Sequence, residues 1–250
     1  MNVEIYEHMY LSEKDNWWFK GRRELITDMV ARACKPQRGE ALKIPDVGCG
    51  TGLNSQAFEQ FGEVYGLDMS REALGFSKLR GKSNLIQAYA DHLPIEDDTF
   101  DVLCALDLLE HIEDDIGAIK EFHRVLKPGG RLILTVPAFM SLWSSHDDVL
   151  HHKRRYNKTA FIRELKSCNF YLDRLTYWNF FLFPAVALAR IIHRGASDAR
   201  EGGKYGLPDL PEVLNRLLLQ LLRVETAAIR RGHNLPVGVS MFCICKKHED

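Results

Sequence analysis

Residues 46–52 read Asp46-Val47-Gly48-Cys49-Gly50-Thr51-Gly52, and this stretch decides the fold. Before it, 41–47 reads as a buried strand. After it, 53–61 reads as a helix with Leu53, Ala57 and Phe61 on one face. A glycine turn between strand and helix lets backbone approach a ligand closely, since no Cβ intervenes. It is also expected to aim free amides and the positive end of a helix dipole at that ligand. Spacing narrows the ligand. A dinucleotide fingerprint needs glycine at the first, third and sixth positions, and the sixth position from Gly48 is Leu53. The Gly-Lys-Ser/Thr of a phosphate-binding loop is absent.

Working outward, a second strand is predicted over 63–67 and ends at Asp68. A carboxylate there suits a ribose diol, because it offers only acceptors where the diol offers donors. The plainer alternative has Asp68 capping a helix over 70–80 beside Ser70. A third strand is predicted over 84–90, before Asp91-His92-Leu93-Pro94, and a fourth over 100–106, before Asp107-Leu108-Leu109-Glu110-His111. A helix over about 115–126, the turn Lys127-Pro128-Gly129-Gly130 and a fifth strand over 131–136 follow. Pro45 is an oddity in the first strand, since proline cannot donate to a sheet ladder.

Residues 46–52 resemble motif I of class I S-adenosylmethionine (SAM)-dependent methyltransferases, Asp-x-Gly-x-Gly-x-Gly. The run Asp91–Asp101 resembles their motif II, and five such landmarks fall in order over 44–138. The resemblance implies an α/β fold: Rossmann-like, doubly wound, mostly parallel, with an antiparallel last strand. It implies SAM as cofactor and S-adenosylhomocysteine as product. Asp46, Gly48, Cys49, Gly50 and Gly52 would form the cofactor cradle, with Asp68 and Met69 at the ribose. Asp91 would meet the adenine amine, and the His92 amide a ring nitrogen. Asp107, Glu110 and His111 would lie where sulfonium and acceptor meet, since open α/β sheets bind ligands beyond the carboxyl ends of their strands.

The loop 137–156 is dense in polar groups: His146, Asp147, Asp148, His151, His152, Lys153, Arg154, Arg155 and Tyr156. Its Leu142-Trp143-Ser144, Asp147 and His152-Lys153-Arg154-Arg155-Tyr156 resemble a bacterial and archaeal subgroup of the same family. The N-terminal Trp17-Trp18-Phe19 and the closing Leu235-Pro236-Val237-Gly238 also resemble that subgroup, so the likeness spans nearly the whole chain. Three readings stand for the loop. It could ligate a metal through His146, Asp147, His151 and His152, but the spacing fits no zinc signature and methyl transfer from SAM needs no metal. It could clamp an acidic acceptor through arginine forks. It could be a structural lid, with arginine and tyrosine bonding the N-terminal segment. Trp18, Trp143, His146, His152, Arg155 and Tyr156 are the candidate acceptor-binding residues. Asp107, His111 and His146 are the candidate catalytic groups; the histidines titrate near neutrality and would serve as base for an oxygen acceptor. O-, N- and C-methylation all stay open.

The organisation expected is an N-terminal cap over 1–35, a SAM-binding core over 36–177, a helical insertion over 178–237 and a final strand over 238–250. In the cap, a helix is expected at 22–34, after the aromatic run; those aromatics either plug it onto the core or wall the acceptor pocket. A helix at about 157–168 and a sixth strand at 170–177 close the core before the insertion. The insertion holds an apolar segment (178–192), a loop (195–209) and a helix (211–231) striped by Leu214, Leu217, Leu218, Leu221 and Leu222. Its uses are an acceptor cap, a dimer face, peripheral contact with a membrane or simple cover for the sheet. With 33 basic and 34 acidic residues the formal net charge is −1. That excludes a global field for nucleic acid. The expected partner is a small-molecule acceptor, and the chain a monomer or homodimer. Six cysteines without a CxxC pair and no visible secretory signal point to a cytoplasmic protein, peripheral to a membrane at most. A SAM-binding regulatory protein without transfer is the competing function. A nicotinamide oxidoreductase is disfavoured by the glycine spacing.

Overall fold

The computed structural model describes residues 3–33, 41–193 and 210–248. In chain order the elements are α1 (Val3–Ser12), α2 (Trp17–Ala33), β1 (Leu42–Val47), α3 (Leu53–Phe58), β2 (Gly62–Asp68) and α4 (Arg71–Leu79). Then come β3 (Leu85–Gln87), β4 (Phe100–Leu106), α5 (Asp115–Val125), β5 (Leu126–Pro137), α6 (Ser145–Val149) and α7 (Lys158–Ser167). The chain continues with β6 (Phe170–Trp178), α8 (Phe183–His193), α9 (Glu212–Arg230) and β7 (Ser240–Lys247).

The strands form one seven-stranded sheet in the order β3-β2-β1-β4-β5-β7-β6. β7 is antiparallel to both its neighbours, and the other pairs are parallel. The order reverses direction at β1, which sets a crevice at the carboxyl ends of β1 and β4. Alternation sorts the side chains between two faces. Leu103, Ala105, Leu132 and Leu134 meet α5 and α7 through Ile119, Phe122, Phe161 and Leu165. Val102, Cys104, Ile133 and Phe242 meet α2 and α9 through Ile26, Met29, Val30, Leu222 and Ile229. The five described cysteines are buried thiols, as expected of core residues; Cys34 lies outside the described residues.

Pro45 stays in the sheet. β1 pairs β2 along its whole length, with Pro45 opposite Tyr65, but pairs β4 only at Asp46 and Val47. The side of Pro45 that lacks a donor thus faces the stretch where the β4 ladder has not begun. Two residues earlier, the Lys43 amide on that same side donates to the Asp101 carboxylate at 2.9 Å.

α2, β3 and α9 differ from expectation. α2 begins at Trp17, not 22, because the Asn16 side chain accepts from the Trp18 amide at 3.0 Å and caps the helix there. The aromatic run therefore lies inside the helix. β3 shrinks to Leu85–Gln87 within the expected 84–90. The loop expected at 195–209 lies outside the described residues. In α9 the buried face is Leu219, Leu222, Glu225, Thr226 and Ile229, while Leu214 and Leu217 are exposed. Leucines crowd the first half of α9, so periodicity alone leaves its rotation ambiguous. Gly21 fixes it, since a Cβ there would stand 2.6 Å from Leu222 Cδ1, and the Arg223–Glu24 and Arg230–Asp28 pairs bind the two helices. α9 thus covers the sheet face beside α2, and its Glu225 accepts from the Asn179 and Phe181 amides just past the end of β6 (2.8 Å each).

Candidate active site

The glycine turn sits at the carboxyl end of β1. Gly48, Gly50 and Gly52 adopt φ of 74°, 55° and 82°, a left-handed backbone that side chains resist. Their reasons differ. A Cβ on Gly48 would meet Leu108 at 2.8 Å and one on Gly52 would meet Ser77 at 2.6 Å, whereas one on Gly50 meets nothing within 4 Å. Gly50 alone faces open space.

The amides expected to be free are mostly spoken for. Gly48 and Cys49 donate to the Leu67 carbonyl (2.7 and 3.0 Å), Gly52 to Cys49 (3.0 Å), and Gly50 to Asp68 Oδ2 (3.0 Å). A tight turn must satisfy its own donors first. The cradle therefore offers close approach more than a row of donors. Asp68 also accepts from the Ser70 amide at 2.9 Å, while Ser70, not Asp68, caps α4. Each Asp68 oxygen keeps acceptor capacity for a diol. Burial raises its pKa, against the pull of the Ser70 and Gly50 amides. Met69 beside it is exposed, and Cys49 is buried against Ser77.

Asp46 is buried and accepts from Ser55 Oγ at 2.5 Å; desolvation lifts its pKa to about 7. From the N-terminus, α1 lays buried Tyr6 near Asp68 and Ser70, and Glu13 onto Thr51 and Arg80. The first cap thus leans on the cradle. Asp91 and His92 are exposed at the rim, and the His92 amide is already bonded to the Tyr89 carbonyl at 3.1 Å. The adenine contact expected of that amide is taken up by this turn.

Asp107 ends β4 at φ 50°, a conformation aspartate tolerates better than most residues. Its Oδ1 accepts from Thr135 Oγ1 at 2.7 Å, and its Oδ2 pairs with Arg22 at 2.6 Å. His111 is half-buried beside it. Burial, then the neighbouring His152, push its pKa down to about 4, so it is neutral at pH 7 and a weaker base than a free imidazole.

The loop after β5 is built around Asp147, which is fully buried. It closes a capping box with Ser144 and accepts from Arg155 Nε (2.8 Å) and His152 Nδ1 (2.9 Å). These partners hold its pKa below the carboxylate range although burial works the other way. Two expected acceptor contacts are overturned here. Arg155 is buried, with its fork committed to Asp147 and the Ala138 carbonyl. Tyr156 is buried, and its hydroxyl donates to Asp115 at 2.7 Å. Both brace the loop against the core, and neither reaches the N-terminal segment. The Trp143 indole donates to Asp148 at 3.0 Å. Trp18 packs against Trp178 at 6.0 Å with Arg22 over its ring, which is a packing role. His146 is exposed; desolvation and the Arg190 cation lower its pKa to about 4, an effect that solvent screening reduces.

α8 does reach this edge. Arg190 donates to the Leu142 carbonyl, and Phe183 meets Phe139, which stacks on Tyr177 at 5.4 Å. The result is an aromatic stack where β5 and β6 end. The sequence reading missed Arg22, Glu13 and Tyr6, which no local pattern marks. Thr135 carried a signal: a polar residue inside the apolar run Leu132-Ile133-Leu134-Thr135-Val136. A separate cavity of about 200 Å³, lined by Ser55, Glu59, Lys82 and Asn84, lies on the flank of β2 away from these groups. Among the described residues, no helix is long and apolar enough to cross a membrane.

Residues 45–134 match the family described as "Methyltransferase domain". The chain is 32% identical over 100 residues to a ubiquinone biosynthesis O-methyltransferase of Aliivibrio fischeri (strain MJ11), covering 37% of this chain and 43% of that one. It is 33% identical over 137 residues to a demethylmenaquinone methyltransferase of Staphylococcus aureus (strain MRSA252), covering 49% and 54%. The chain thus spans about half the length of the curated relatives it matches. In fold it resembles a chain of the complex between the Haloferax volcanii Trm112 methyltransferase activator and a methyltransferase, with a TM-score of 0.61 at 14% identity over 99% and 95% of the two chains.

Proposed function

We propose that residues 45–134, which match a methyltransferase domain, are the core of a class I SAM-dependent methyltransferase, and that the chain binds SAM at the carboxyl ends of β1 and β2 and moves its methyl group to a small acceptor of quinone-like, partly apolar character. The observation that carries the cofactor reading is the Gly50–Asp68 pair. The turn's only open Cβ direction adjoins a buried carboxylate held by two backbone amides. Asp68 takes the ribose, and Tyr6 and α1 cover that end of the site.

The acceptor reading rests on the aromatic stack of Phe139, Tyr177 and Phe183 where β5 and β6 end. The quinone-biosynthesis names of the curated relatives agree with it. In the reaction, the acceptor's lone pair forms a bond to the methyl carbon. The carbon–sulfur bond breaks, and its electrons return to sulfur as a neutral thioether. Alignment and exclusion of water supply most of the rate. An oxygen acceptor gives its proton to His111, which is neutral and half-buried beside Asp107.

The test is calorimetric SAM binding, followed by methyl-labelled SAM with a panel of phenolic and quinol acceptors and phase partition of the product. Label in the organic phase supports the reading. SAM bound with no transfer to any acceptor would favour a regulatory SAM-binding protein, and no SAM binding would overturn the reading altogether.

A further inference from the structure

Three side chains at the acceptor edge gather in a second arrangement, in which His111 gives its lone pair to an ion and not to the acceptor's proton; an acceptor oxygen held by such an ion would lose its proton more readily by itself. One carboxylate oxygen of Glu110, one ring nitrogen of His111 and one of His152 all lie within 4.8 Å of one another. Glu110 is 1% exposed, and its Oε2 has no hydrogen-bond partner. A buried carboxylate oxygen without a donor is costly unless something positive meets it.

The two histidines are each held by one nitrogen. His152 gives Nδ1 to Asp147 at 2.9 Å, which leaves Nε2, and His111 bonds the Leu150 backbone carbonyl through its ring. Fixing one ring nitrogen by a carboxylate or carbonyl, so that the other is presented as a lone pair, is how proteins orient metal-binding histidines. Asp147 is itself fixed by Arg155 and the Ser144 capping box, so the orientation is rigid. The nearby cations are already paired: Arg22 with Asp107, and Arg155 with Asp147.

We propose that Glu110, His111 and His152 form a binding site for a divalent transition-metal ion, with zinc the best-matched class. Two imidazoles and a carboxylate with a fourth position left to solvent or substrate is the donor set of open zinc sites. Donors of a tetrahedral site stand roughly 3.3 Å apart, given bonds of about 2.0–2.1 Å, so the present cluster, within 4.8 Å, needs to contract by up to about 1.5 Å. This is not the set that the loop's spacing suggested. Asp147 supports the cluster from outside, and His111 and Glu110 come from the segment after β4. The inference rests on the proposed active site only for its consequence: an ion here would hold an acceptor oxygen at the edge where the methyl group arrives.

The experiment uses untagged full-length protein stripped with chelator. Zn²⁺ binding is titrated by calorimetry, and bound metal is counted by elemental analysis; Co²⁺ serves as a spectroscopic stand-in. The expected result is one ion per chain and a Co²⁺ visible spectrum typical of low coordination number. His152→Asn and Glu110→Gln should each weaken binding at least tenfold. His151→Asn, outside the donor set, should not. Thermal melts without metal identify any variant that fails to fold, and His111→Asn then replaces it. No stoichiometric binding, or binding equally tight in the folded donor variants, overturns the proposal. SAM titration in chelator is run alongside. Its failure with metal binding intact counts against the cofactor reading alone; the reverse counts against the metal site alone.

Discussion

Arg22 and Asp107 meet at 2.6 Å across the carboxyl end of the sheet, one from α2 and the other from the last residue before the acceptor edge. Arg22 also donates to Thr135 at 3.1 Å, and Thr135 donates to Asp107. Three segments far apart in sequence thus set one carboxylate. Arg22→Ala should lower kcat/KM at least tenfold and cost about 1–3 kcal/mol, the usual penalty for leaving a poorly solvated partner unpaired. Arg22→Lys keeps the charge but cannot serve both partners with one planar fork, so it should recover stability more than rate. Steady-state kinetics beside urea unfolding separate the two effects.

Gly50 and Gly52 should respond oppositely to alanine. Gly50→Ala pays only a backbone cost of about 1–2 kcal/mol for its left-handed φ, since no atom lies where its Cβ would go. It should stay folded and bind SAM at least tenfold more weakly. Gly52→Ala adds a clash with Ser77 and should show a markedly lower Tm. Melting curves and SAM calorimetry on the same samples decide it.

Asp68→Asn should weaken SAM binding by about 1–3 kcal/mol. The amide keeps one acceptor but turns a donor toward either a turn amide or the ribose. Unchanged affinity would remove Asp68 from the cofactor site.

Asp46 makes stability depend on pH. Its folded pKa of about 7 exceeds the ordinary 3.8, so the folded state holds a proton that the unfolded state has released. The protein gains from this below about pH 4 and loses the gain as pH rises through 7, by up to about 4 kcal/mol. Asp46→Asn should flatten that slope. The difference between wild-type and variant urea midpoints at pH 5 and 8 measures it.

Tyr156→Phe removes the hydroxyl that Asp115 accepts from. A loss of about 1–2 kcal/mol in stability is expected, with KM for the acceptor unchanged. A large rise in KM with stability intact would restore Tyr156 to the acceptor pocket.

The core was legible where one local rule decides. Glycine spacing set the turn, apolar runs of strand length set β1, β2, β4 and β5, and Asp68 follows from its place at the end of β2. The acceptor edge was not. Arg155 and Tyr156 fit both an acceptor clamp and a structural lid in sequence, because a fork and a hydroxyl beside histidines carry no sign of direction. Their inward turn comes from Asp147 and Asp115, residues whose burial only the packed loop creates. α9 failed for a related reason: its surplus leucines fit several rotations, and a glycine two hundred residues away selects one. Trp18 could wall a pocket or fill a core, and in the fold it packs half-buried against Trp178.

The incomplete ladder between β1 and β4 has a dynamic consequence. With Pro45 unable to donate and the Lys43 amide bonded only to an Asp101 side chain, the seam between these two central strands is stitched at the end that carries the site and loose at the other. Opening free energies within one sheet should therefore be graded along the strands rather than across them. Amide protons in the first half of β1 would exchange through fluctuations that leave Asp46, Val47 and the glycine turn closed. The ligand-facing rim would then be the last part of the sheet's centre to open, and a bound cofactor would slow exchange most where the seam is already tight.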